Sequence, residues 1–259
     1  MTIMAQAAFG RDPGRWPLPA AQTPLETWQR AVAAGGQGRY ASGFADLDAL
    51  ARTTATGPLA SVASSTRASF LRQLGHHVDA RSWDGRAFAL AGSDAEAGAD
   101  ALIGLAADAL GTGRFVLSAR LLERARETFG DGSPGRLPVR CGWVSAELAM
   151  FTGDGGAAVG HAERAVELAA STGSVRHAVK SDVVLAAALC SAGDAEESRR
   201  VADAALSAAE RLGFMPLTWA LACLLGDVGS AVHSPHRIAE IRDESADTVR
   251  RRGGVWAAP

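Results

Sequence analysis

"CSAGDAEESRRVADAAL", residues 190–206, sets a glycine in a short gap between two alanine-rich runs and places a small residue, Ser198, five positions after it. Whether this is one hairpin or a repeated unit is decided by the rest of the chain. The same surroundings recur as "GQGRYASG" at Gly38, "QLGHHVDA" at Gly75, "GTGRFVLS" at Gly113, "FTGDGGAA" at Gly153 and "LLGDVGSA" at Gly226. With Gly193 these make six copies, spaced by 37, 38, 40, 40 and 33 residues, the range of helical solenoids.

Columns aligned on the glycine agree. Five residues after it stand Gly43, Ala80, Ser118, Ala158, Ser198 and Ala231, all small. Seven before it stand Ala31, Ala68, Ala106, Ala146 and Ala186, and only Trp219 breaks the column. A second series, Gly57, Gly92, Gly130, Gly173 and Gly213, follows 17 to 20 residues later, where a left-handed residue commonly ends a helix. Each unit reads as helix, glycine turn, helix, glycine stop. Small residues let the two helices approach closely, and a single hairpin cannot bury its apolar side alone, so neighbours must stack.

The expected hairpins are 24–56, 58–92, 94–129, 134–172, 174–212 and 214–252. They make one all-α array, with mobile tails at 1–23 and 253–259. Pro235 in "HSPHR" is expected at the start of the last helix, where a missing N–H is harmless. Trp16 and Trp256 are the candidates for folding a tail back into the groove of such an array. "GDGSPG", residues 130–135, reads as a turn between hairpins, since no strand precedes it to make a phosphate loop.

Composition agrees with closely packed helices. Among 259 residues the apolar share is 47%, drawn mainly from alanine, and aromatics are 6%, too few for a large sheet. A net charge of −2 leaves no electrostatic footprint for nucleic acid over the whole chain. Asparagine is absent and Lys180 is the only lysine, a bias expected of a GC-rich bacterial genome. Three cysteines in a chain this long point to a reducing compartment. The start carries two arginines in place of a secretory apolar run, and no window is long enough to cross a bilayer, so a cytoplasmic location is expected.

Signals of chemistry are sparse. His76–His77 and the pair His233 and His236 lack the converging partners a metal site needs, so no metal or cofactor is expected. Cys190 and Cys223 share a column in adjacent units, but packed helices stand too far apart for a disulfide there. No nucleotide-binding, serine-hydrolase or zinc-protease motif occurs. "TVRRRGGVW" reads as a basic helix C-terminus that complements the helix dipole. An enzyme is not expected.

The turns "GRYASG", "GDGGAA", "GDAEES" and "GDVGSA", with Tyr40 and Phe115 at the aromatic turn position, resemble those of the tetratricopeptide repeat family over about residues 24–252. The chain departs from that family in lacking its proline after the second helix and in its longer units. The resemblance implies a right-handed α-solenoid, a superhelix whose concave groove is lined by first helices. It further implies that Trp28, Arg72, Arg140, Trp143, Glu147 and Lys180 stand on the inner wall. Arg140 and Lys180 share a column, and an arginine beside a tryptophan suits carboxylate pairing next to an apolar anchor. Asparagine clamps for a C-terminal carboxylate, known in that family, are excluded here. The function so implied is a non-enzymatic adaptor or scaffold that binds a peptide or partner helix in its groove, with a homodimer left open. The rival expectations are a regulatory or sensor domain acting in trans on transcription or signalling, and a chaperone for an exported client.

Overall fold

The computed structural model describes residues 1–130 and 135–257; residues 131–134 of the "GDGSPG" turn lie outside the described residues, as do 258 and 259. Thirteen helices and no strand occur among the described residues. After α1 (Ile3–Phe9) come six hairpins. They are α2 (Pro24–Gly36) with α3 (Tyr40–Thr53), α4 (Pro58–Gln73) with α5 (His77–Ala91), and α6 (Ala95–Gly111) with α7 (Phe115–Phe129). The remaining three are α8 (Arg136–Phe151) with α9 (Gly155–Thr172), α10 (Val175–Ser191) with α11 (Ala195–Leu212), and α12 (Met215–Val228) with α13 (Pro235–Arg251).

The opening stretch shows why each hairpin forms. Gly193 has φ +88°, a backbone state that side chains with a Cβ resist, and Asp194 N–H reaches back to the Leu189 carbonyl at 2.9 Å. The Asp194 carboxylate then caps α11 by accepting from Glu197 N–H at 3.1 Å. The two small-residue columns meet: Ser198 Oγ donates to the Ala186 carbonyl at 2.8 Å, and both residues are fully buried. Any larger pair would separate the helices. Gly213 ends α11 in the left-handed region, and Phe214 N–H bonds Ala209 O at 2.9 Å.

The positive-φ glycine followed by an N–H that reaches back five residues recurs in five of the six turns, with the aspartate cap repeated at Asp154, and the sixth turn corrects the expected register. Gly226 lies inside α12, and the left-handed turn residue is Gly229, with φ +79°. Moving the reference by three residues brings fully buried Ala222 into the column that Trp219 had broken. "HSPHR" starts α13 as expected, with Ser234 as N-cap and Pro235 in the first turn.

First helices pack against first helices from α2 through α12, while each second helix touches mainly its own partner and the next unit's first helix. This makes a right-handed α-solenoid with a continuous inner layer and an outer layer of second helices.

The two ends of the array meet. Val249 of α13 is fully buried in one cluster with Tyr40, Phe70 and Leu74 from the first two hairpins. Beyond α13 the chain bonds to those hairpins through Ala41 N–H to Arg252 O at 3.0 Å and Ala257 N–H to Leu74 O at 2.8 Å. Arg252 Nη1 donates to Gln37 O at 2.6 Å. The third arginine of "TVRRRGGVW" therefore joins the last unit to the first. The described residues 253–257 of the C-terminal segment, expected to be a mobile tail, are thus packed against the array. Trp256 packs at a tilt against Trp219 with centroids 4.4 Å apart, and Trp16 lies under the Arg39 guanidinium at 4.5 Å.

Candidate functional site

The inner wall is built from a relation repeated at unit spacing. Trp28 Nε1 donates to Thr66 Oγ1 at 2.9 Å, and Trp143 Nε1 donates to Ser181 Oγ at 2.8 Å; in each case the acceptor stands 38 residues further on. Each indole spans from one first helix to the next, which satisfies its N–H.

Helix α1 lies across the inner layer, against α2 of the first unit and α10 of the fifth. Met4, Ala7 and Ala8 are buried on its inner face. Phe9 packs on Trp28 at 5.3 Å and reaches His177 at 6.5 Å, and His177 stacks on Trp143 at 5.4 Å. Four rings from four helices form one row. Lys180 continues it, 6.0 Å over the Trp143 ring and 3.6 Å from Glu147. Lys180 and Glu147 keep about a third of their side-chain surface, 31% each, so this end of the row remains open.

The other sequence-expected residues are paired within the wall. Arg72 sits between Asp84 and Asp108, with Nη1 2.7 Å from Asp108, and both carboxylates have no exposed surface. Ser65 Oγ donates to Asp84 at 2.7 Å. Burial and the nearby Asp84 charge push the Asp108 carboxyl up to about 7, against the pull of Arg72. Two carboxylates and one guanidinium in a dry site retain a proton that a single ion pair would release.

Arg140 pairs with Asp100, which also accepts from Arg136 at 3.0 Å. Arg176 bonds the Val32 carbonyl at 3.4 Å, near the C-terminus of α2, where a cation complements the helix dipole. Burial first, and then Arg176, Arg136 and Arg140, force the His177 ring down to about 3. His177 is therefore a neutral aromatic surface at any ordinary pH, its Nδ1 2.8 Å from Ser174 Oγ.

Trp28, Trp143, Glu147 and Lys180 thus come together along the row, while Arg72 and Arg140 are drawn into carboxylate networks. Phe9, His177, Asp84, Asp100 and Asp108 were not singled out from sequence. The signal available was spacing: Arg72 to Asp108 and Asp100 to Arg136 are both 36 residues apart, about one unit. His76 bonds the Val255 carbonyl at 2.8 Å, and His236 is exposed beside Glu240. All three cysteines are free. Among the described residues no three His, Cys, Asp or Glu side chains converge, and no helix is long and apolar enough to cross a membrane. A separate apolar strip, where Phe115 stacks on Phe151 at 6.0 Å, lies at the turn edge of the third and fourth hairpins.

No protein-family model matches this chain, and no curated protein matches it. The helical-hairpin architecture rests on the helices and their packing alone.

Proposed function

We propose that the chain is a divergent tetratricopeptide-like, non-enzymatic adaptor that binds a short helix or peptide of another protein along its inner wall. The observation that supports this most is the ring row: Phe9, carried on a seven-residue helix, lies against Trp28 and reaches toward His177. A wall that holds one short alanine-rich helix by an aromatic residue has the shape and polarity to hold another. Aromatic anchors in partly enclosed sites supply much of the energy of such contacts. Lys180 and Glu147, at the open end, would select charge on the partner.

Display of a random peptide library on the purified protein tests this. The expected selection is for peptides with an aromatic residue flanked by small residues and an acidic group toward the Lys180 end. The exchange Glu147→Lys with Lys180→Glu keeps the two groups as a pair but inverts their positions, so it should invert that charge preference. If the wild-type protein and the exchanged variant select the same sequences, or neither selects any, this reading is wrong.

A further inference from the structure

We infer that residues 1–10 are a releasable occupant of the partner site: α1 competes, from within the chain, with any helix that docks between Trp28 and His177. This rests on the inner-wall binding reading above and adds its control.

The attachment of the N-terminal segment is divided in two. Residues 13–16 are clamped: Gln37 Nε2 donates to the carbonyls of Pro13 at 2.8 Å and Arg15 at 3.1 Å, and Arg39 covers Trp16. Helix α1 itself is held more lightly. Its polar ties to the wall are a long Val175 N–H bond to Gly10 O at 3.3 Å and a Thr2–Gln29 contact at 3.5 Å. The outer face is open, with Ile3 44% and Met1 83% exposed. Seven residues are too few to stay helical in water without a surface to lie on. Released, α1 would unfold while the 13–16 clamp kept it close to its site. A tether of this length holds a competitor at an effective concentration on the order of millimolar.

The occupant's chemistry follows from α1: a short helix with one face of alanine and methionine and an aromatic residue at its C-terminal end. In the resting chain the site is mostly filled, so an outside helix of this kind binds with an affinity reduced by the open fraction.

The test uses the full chain and a fluorescent synthetic peptide of its own residues 1–12. Ala8, 1% exposed, faces the wall, so Ala8→Asp should expel α1 and leave the hairpins intact. The expected result is peptide binding to Ala8→Asp at least about tenfold tighter than to wild type. Phe9→Ala should give a smaller gain, and a peptide carrying the Ala8→Asp change should not bind. Equal binding to wild type and Ala8→Asp overturns the inference. So does absence of binding to both variants while the hairpins melt as in wild type. The library experiment separates the two readings. Foreign peptides that bind wild type and Ala8→Asp equally would leave the adaptor standing and remove the competition. Exchange of the 1–12 peptide alone, with no foreign sequence selected by either protein, would do the reverse.

Discussion

Arg252 donates to the carbonyl of Gln37 at 2.6 Å, and these residues stand 215 positions apart. The contact joins the last helix of the array to its first turn, beside the cluster that holds Val249 and Tyr40. An open repeat array is a one-dimensional stack whose ends fray independently. Here the ends protect each other.

Val249→Ala removes two methyl groups from a fully buried position in that cluster and should cost about 1–2 kcal/mol. The location of the loss is the sharper outcome. Hydrogen exchange should speed up together in α2–α3 and in α12–α13, while α8–α9 keeps its protection. Loosening confined to α12–α13 would show that the seam carries no coupling.

Asp108, raised to about 7, makes stability fall with rising pH. Between about pH 4 and 7 the folded chain holds a proton that the unfolded chain has released, so unfolding is progressively favoured until both states are ionised. Asp108→Asn keeps the shape and removes the titration, so chemical-denaturation stabilities from pH 4 to 8 should flatten. Arg72→Met leaves Asp84 and Asp108 buried without their cation and should destabilise by about 3–5 kcal/mol at neutral pH.

His177 has the opposite slope. Its folded-state value of about 3 lies below the ordinary histidine value, so the unfolded chain takes up a proton first as pH falls. The stability it contributes is complete above about pH 6.5 and declines below that. His177→Phe keeps a ring between Phe9 and Trp143 and cannot be protonated. Its melting temperature should therefore fall less than that of wild type between pH 7 and 4.

Two glycines separate backbone strain from crowding. A Cβ at Gly193 meets open space, so Gly193→Ala costs only the left-handed backbone, about 1 kcal/mol. Gly104 is helical, but a Cβ there would overlap the Asp84 carboxylate, so Gly104→Ala disturbs the Arg72 network. It should cost more than Gly193→Ala and should alter the pH dependence assigned to Asp108. Denaturant titrations of both variants at pH 5 and 8 check the contrast.

The sequence by itself determined the units. Hairpin limits, the glycine turns of the first five repeats and the alanine columns of the first helices all depend on residues within one unit's length. Glycine conformation and helix-to-helix distance are local consequences of side-chain size. The sixth turn was misplaced because Gly226 and Gly229 lie three residues apart, and only packing distinguishes a helical glycine from a left-handed one. Tertiary structure decided the rest. The meeting of Arg252 with Gln37 depends on curvature added up over six units, which no single unit encodes. The pairing of Arg72 with Asp108 required two helices to be side by side before either charge had a partner. The seat of Phe9 between Trp28 and His177 required the curved wall to exist first, since seven residues have no helical stability of their own.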